Sequence, residues 1–371
     1  MAAWQSLAFD ECTEPVVYTA KVQRKDFLSD GAYPIVSQEE AFINGFWDQE
    51  SDLFKVERPV VVFGDHTRVL KYIDFDFVLG ADGVKVLKPK PFLDPRFFYY
   101  QLHTAKLESL GYARHYRLLK EHKVAYPPLP EQRRIVVILD EAFEAIATAK
   151  ANTEKNLQNA RDLFASYARN TFLEGEHRWS AKTLDRIATN MDSKRNPITK
   201  DDRKAGAYPY YGASGIVDYV ADYIFDGDTL LISEDGANLL ARSTPIAFPA
   251  SGRYWVNNHA HILKFDHMAT QRFVEFFLES IPLDEYITGA AQPKLNQKAL
   301  NSIPIPLPAT VIEQAQVVDQ LDALAMESEL LRGMYERKLT ALDELKKSLL
   351  HQAFSGALTV KSTDQQLEAL A

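Results

Sequence analysis

The chain has 371 residues, 46% of them hydrophobic and 25% charged, which suits two or more soluble domains because single cores rarely grow past ~250–300 residues. No apolar run approaches the ~20 residues of a membrane span, and the single Cys12 excludes an internal disulfide framework and a cysteine-rich zinc site. A net charge of −9 excludes a uniformly basic nucleic-acid binder and leaves only local patches for phosphate contact.

The opening residues, acidic and carrying Trp4, do not read as a signal peptide, so a cytoplasmic location is expected. Short β-type runs follow at 16–22, 58–64, 72–78 and 83–89, separated by Gly, Asp, Asn and Pro. A helix is predicted from Pro95 to Gly111. A proline-bounded lead-in at Tyr126 then opens a long amphipathic helix reaching Phe172, with apolar residues Ile135, Leu139, Ile146 and Leu157. A second mixed region runs from Trp179 to about Ser302, and a second proline-rich lead-in at Ile303 opens another long helix ending near Phe354. Its apolar positions are Val317, Leu321, Leu324, Leu331, Leu342, Leu345 and Leu349, spaced like the seam of a coiled coil.

The chain is a duplication. Glu131-Gln132 matches Glu313-Gln314 and Phe172 matches Phe354 at one offset, 313 − 131 = 182, which is 26 × 7 and so preserves heptad phase. Trp4 matches Trp179 and Gly31-Ala32-Tyr33-Pro34 matches Gly206-Ala207-Tyr208-Pro209 at an offset of 175, and the run from Arg58 to Asp65 corresponds to Asp228 to Asp235. A period this long means a repeated domain and not a solenoid. The expected fold class is α+β: two duplicated mixed α/β domains separated by two long antiparallel coiled-coil helices with pseudo-two-fold symmetry. The expected segments are 1–127, 128–175, 176–305, 306–358 and a tail at 359–371. About 36 helical residues would make a rod of ~54 Å, or roughly 16 base pairs of duplex.

Catalytic motifs are missing. Asn196-Pro197-Ile198 lacks the second proline and aromatic residue of an amino-methyltransferase motif, there is no P-loop, and Glu344-Leu345-Lys346 lies on the heptad helix where charge is usually a solvated face. What recurs is polar and cationic side chains on turns after strands. In the first region these are His66, Thr67, Arg68 and Lys71, then Arg114, His115, Tyr116 and Arg117; in the second they are Asn238, Arg242, Asn257, Asn258, His259, Gln292, Lys294 and Asn296. Arg and Lys suit guanine edges or phosphates, and Asn and Gln suit adenine. Arg114 to Arg117 matches Gln292 to Leu295 at an offset of 178.

Several stretches together give the chain a family likeness: Pro128-Leu-Pro-Glu-Gln-Arg-Arg-Ile135 with Leu139-Asp140, Lys347-Ser-Leu-Leu-His-Gln-Ala-Phe-Ser-Gly356, Phe63-Gly-Asp-His-Thr-Arg68, Ala81-Asp-Gly-Val84 and Gly111-Tyr-Ala-Arg-His-Tyr116. Over nearly its whole length the chain resembles the specificity subunits of type I restriction-modification systems. One departure is Pro308-Ala-Thr-Val-Ile-Glu-Gln314, which lacks the usual Arg pair and is longer. The resemblance implies two target-recognition domains, each reading half of a split asymmetric site in double-stranded DNA. It also implies a non-catalytic scaffold for two methylation subunits and, through them, two restriction and translocation subunits. S-adenosylmethionine, ATP and Mg would then belong to those partners, with no cofactor or metal on this chain. The competing expectation is a structural adaptor that holds two protein partners and never binds DNA.

Overall fold

The computed structural model describes every residue except 1–3, 82, 109–110, 112, 290, 356 and 358–371, so the tail expected at 359–371 lies outside the described residues. Two compact units form: Met1–Asn152 together with Lys338–Ala371, and Thr153–Arg337. Each long helix is therefore divided near its middle between the units, and neither helix is a unit of its own.

In the first unit the chain runs through β1 (Gln5–Ala8), α1 (Phe9–Cys12), β2 (Thr13–Glu14), β3 (Lys21–Val22), β4 (Tyr33–Val36), β5 (Gly45–Trp47), β6 (Leu53–Phe54), β7 (Val60–Gly64), β8 (Leu70–Ile73), β9 (Phe77–Gly80) and β10 (Val84–Pro89). Then come α2 (Pro95–Leu102), α3 (Tyr116–Lys120), β11 (Lys123–Tyr126) and the start of α4 (Leu129–Arg178). The second unit holds the rest of α4, then β12 (Ser180–Lys182), α5 (Leu184–Ile187), β13 (Thr189–Asn190), β14 (Ala205–Gly212), β15 (Gly215–Val220), β16 (Phe225–Asp226), β17 (Thr229–Ser233) and α6 (Asn238–Ala241). It continues with β18 (Ala247–Ala250), β19 (Arg253–Val256), β20 (Ala260–Lys264), α7 (Met268–Ser280), α8 (Gln297–Ser302), β21 (Ile305–Leu307) and the first part of α9 (Val311–Phe354).

The duplication is visible in the pairing. One sheet has the order β2-β10-β7-β8 in the first unit and β13-β20-β17-β18 in the second, and a two-stranded ribbon, β1-β11 or β12-β21, precedes each long helix. In the other sheet β4 pairs antiparallel with β5 and parallel with β9, as β14 does with β15 and β19. β6 lies antiparallel to β9 as β16 does to β19, and the copies part at β3, which adds a parallel strand to β9. Three expectations need correcting. Most of the run at 16–22 is loop, with Val17 90% exposed, and the helix at Pro95 stops at Leu102. The run at 72–78 is broken at its acidic centre, leaving β8 and β9 in different sheets.

The two proline-rich lead-ins seat the long helices the same way. Pro130 sits in the first turn of α4, where a missing N–H costs nothing. Ahead of α9, Thr310 Oγ1 accepts the Glu313 N–H at 3.2 Å, a helix cap that needs no Arg pair. Gln132 donates to Pro127 O at 2.8 Å and Gln314 to Pro308 O at 2.9 Å, so the extra length of the second lead-in is absorbed in one turn.

Within each unit the halves of α4 and α9 run antiparallel. In the first, Lys150 pairs with Asp343 at 2.7 Å and Lys346 lies over the Phe143 ring; in the second, Ser328 donates to Ala160 O at 2.6 Å and Trp179 Nε1 to Glu313 at 3.1 Å. Ile135, Leu139, Ile146 and Leu321 are buried; Leu157, Val317, Leu324, Leu331, Leu342 and Leu349 are half-buried. Leu345 is the correction: it is 46% exposed, and it is its neighbour Lys346 that reaches α4, with its ammonium 5.2 Å from the Phe143 ring centroid. Ile135 and Leu139 join Phe97, Phe98 and Ala353 in one core, and Phe172, Val318 and Leu321 join Phe273 and Phe277 in the other. Full burial of each such side chain contributes ~1.5–3 kcal/mol.

Candidate nucleic-acid interface

The turn after β7 and the segment before α3 are fastened into one surface. Asp65, 2% exposed, accepts the His115 N–H on its carbonyl at 2.8 Å and the Tyr116 N–H on its carboxylate at 2.7 Å. The His66 N–H donates to Gln38 Oε1 at 3.1 Å and Thr67 Oγ1 to Gln38 O at 2.5 Å, which pins the turn from the strand side. Arg68 adopts φ 64° and reaches Leu107 O at 3.0 Å. Arg114 and Arg117 project from the fastened segment and are exposed.

The second unit builds the same joint after β17. Leu295 N–H donates to Glu234 O at 2.8 Å and Gly236 N–H to Pro293 O at 3.0 Å, so Leu295 takes the place of His115 and Lys294 that of Arg114, an offset of 180 in place of the expected 178. Gln292, Lys294 and Asn258 are exposed, and His259 is half-buried with Nδ1 2.9 Å from Asp235.

Several expected contact residues instead hold the fold. Lys71 is 3% exposed; its ammonium donates to Ala41 O, Phe42 O and Asn44 Oδ1, and burial pushes its pKa down to about 8. It is no phosphate contact. His115 is fully buried with Nδ1 3.0 Å from Asp65 O, and Tyr116 packs edge-on against Phe9. Asn238 closes its own loop through Ser243 and Thr244, while Arg242, at φ 49°, donates to Leu278 O and Ile281 O. Asn257 is buried and accepts the His259 N–H at 2.8 Å; Asn296 caps α8 by accepting the Ala299 N–H at 3.0 Å. Exposed candidates thus reduce to Thr67, Arg68, Arg114 and Arg117 in one unit and Asn258, Gln292 and Lys294 in the other, with His66 and His259 half-buried beside them.

Sequence reasoning missed Gln38 and a charged cluster beneath the 292–296 segment. Arg195 donates to Glu234 at 2.6 Å, Lys294 Nζ lies 3.1 Å from Glu234, and His261 Nδ1 is 2.6 Å from Asp192. Burial pushes the Glu234 carboxyl up, but hydrogen bonds from Arg195 and Lys294 and the charge of His261 outweigh it and hold it below the usual range. Asp192 is likewise held low, burial being overcome chiefly by the His261 hydrogen bond and charge. Asp192, Glu234 and His261 approach metal-ligand geometry, yet each carboxylate is already neutralised by a neighbouring cation and both ring nitrogens of His261 are engaged, so the arrangement is an ion-pair network. His259 and His261, separated only by Ala260, were the available sequence signal.

Comparison with known proteins agrees with this geometry. The model of the type I restriction modification DNA specificity domain matches residues 17–159 and again 176–337. A Haemophilus influenzae protein named as a type I restriction enzyme specificity subunit is 34% identical over 48% of this chain, a match that spans only 51% of the relative's length. A type I restriction enzyme specificity subunit of Escherichia coli is 27% identical over 83% of each chain. Two solved structures share the fold: a chain from a study of type I restriction-modification complex assembly (TM-score 0.72, 15% identity, 95% of this chain and 97% of that one) and the HsdS subunit of Thermoanaerobacter tengcongensis (0.55, 16%, 95% and 97%). With a family model matched twice across most of its length, this chain belongs to the type I restriction-modification DNA specificity family.

Proposed function

We propose that the chain is the DNA-reading subunit of a type I restriction-modification complex, each unit recognising one half of a bipartite asymmetric site. The observation that carries this reading is the repeated joint. A strand-end residue, Asp65 or Glu234, fastens a segment that presents a long cationic donor at an equivalent place, Arg114 in one unit and Lys294 in the other, with Arg117 near the first and Gln292 near the second. Guanidinium and amide groups of this kind read base edges or grip phosphates.

The chain itself carries out no chemistry in this reading; two methylation subunits supply S-adenosylmethionine chemistry, and two translocating nuclease subunits joined through them use ATP and Mg. The long helices set the number of unread base pairs and dock the methylation subunits. Support for docking comes from a four-residue-spaced exposed apolar stripe on α9, Met326, Leu330 and Met334, each more than half exposed. That stripe equally suits the adaptor reading, which leaves the repeated donor segments without a use. Partner surfaces supply positive charge that a chain of −9 lacks, and the place of action is the cytoplasm; no helix among the described residues is long and apolar enough to cross a membrane. Selection from a random duplex pool by the chain with its methylation subunit, followed by sequencing, tests the reading: two fixed half-sites around a constant spacer are expected, and a pool left unenriched sinks it.

A further inference from the structure

Beneath the donor segment of the second unit, Asp192, Arg195, Glu234 and His261 form a cluster that is largely shut off from solvent and to which DNA reading assigns no role. His261 is 1% exposed; its Nε2 lies 2.8 Å from Leu295 O, an atom that can only accept, so that nitrogen carries a proton. Its Nδ1 shares a proton with Asp192, whose other oxygen takes the Ile262 N–H at 2.8 Å. Leu295 is thus held at both ends of its backbone, by His261 on its carbonyl and by Glu234 O on its N–H at 2.8 Å. Glu234 is bonded twice, but the two cations differ. Arg195 is 16% exposed and also donates to Ala260 O at 2.9 Å, whereas the Lys294 side chain is 50% exposed. If Lys294 leaves, Glu234 stays neutralised.

We propose that Asp192, Arg195, Glu234 and His261 are the positioning residues of the second recognition segment, with Lys294 as the arm that passes from Glu234 to a DNA phosphate on binding. This rests on the DNA-reading role given above. The first unit fastens its equivalent segment through Asp65, without such a cluster among the described residues, so only the second half-site should depend on it.

The test uses the full-length chain in its complex with the methylation subunit, scoring base preference at each half-site by selection and sequencing, with thermal melting alongside. His261→Gln keeps a donor at the Nε2 position and so holds Leu295, while His261→Asn keeps only the link to Asp192. We expect His261→Asn to lower second-half discrimination about tenfold, with the first half unchanged and His261→Gln near wild type. Glu234→Gln should release Lys294 and raise affinity for random-sequence duplex about threefold at low salt. Equal loss at both halves, or equal loss from the two His261 variants, overturns the clamp. Should His261→Asn fail to fold, Glu234→Gln decides, and unchanged random-duplex affinity overturns the proposal. A wild-type complex that enriches no sequence removes the DNA reading itself, a result distinct from any of these.

Discussion

Arg96 donates from Nε to Asp140 Oδ1 at 3.0 Å, fixing α2 of the first unit to α4, and Arg272 makes the same link from α7 to Asp322 Oδ1 on α9 at 3.1 Å, with Nη2 donating to that oxygen at 2.6 Å. The ion pairs are only half-buried and each is worth ~0–1 kcal/mol, but Arg96 also lies over the rings of Tyr72 and Tyr100, and Arg272 over Phe276. Arg96→Ala should therefore destabilise the first unit by about 1–2 kcal/mol, lost stacking included. Thermal melting of Arg96→Ala beside Asp140→Asn separates the terms: an Asn variant as damaging as Ala would show that charge, and not stacking, dominates.

Lys71 gives a prediction opposite to that of a phosphate contact. Lys71→Ala removes the buried ammonium that holds Ala41 O, Phe42 O and Asn44 Oδ1 and leaves a cavity, a loss of about 2–4 kcal/mol, while the salt dependence of DNA binding stays unchanged. The folded chain releases this proton near pH 8 and the unfolded chain near 10.5, so between those values the unfolded state binds more protons and this group alone makes stability rise with pH. Melting of wild type and Lys71→Met from pH 7 to 10 checks the sign: the wild type should gain on the variant as pH increases.

Arg114→Ala should cost ~1–3 kcal/mol of discrimination at the first half-site, and Gln292→Ala the same at the second, each without a change in melting temperature because both side chains are exposed. Lys294→Ala should weaken binding to all sequences and lower the salt slope by about one. Selection with each variant decides; loss of melting temperature with intact preference would take Arg114 out of the interface.

The helix pairing constrains any change of spacer. Lys150 faces Asp343, so adding residues after Ala149 alone throws this register out, whereas seven residues after Ala149 matched by seven after Asp343 preserve it. The matched insertion adds ~10.5 Å of helix, about three base pairs. Methylome sequencing should show a spacer longer by that amount with both half-sequences intact, and an unchanged spacer refutes the ruler.

Much of the fold was legible because duplication and heptad spacing are long-range regularities: the 182-residue offset predicts two antiparallel helix pairings, and both exist. The site was less legible. Along β8 the burial alternates, placing Lys71 on the face of Ile73, so period-two reading could have removed it from the turn. His261 had no such signal, since β20 is buried from Ala260 through Leu263. Asn238, Arg242 and Asn296 are turn and cap residues whose partners are backbone groups, which sequence does not display.

The division of the long helices also dictates an order of assembly during synthesis. The second unit is one uninterrupted stretch, Thr153–Arg337, and can close as soon as it leaves the ribosome. The first unit is made earlier yet must wait: Ile135 and Leu139 share their core with Ala353, which emerges only after the whole of the second unit. Until then an apolar face of α4 stands open to water and to chaperones, and a chain halted at Arg337 would carry a closed second unit behind a first that cannot finish folding.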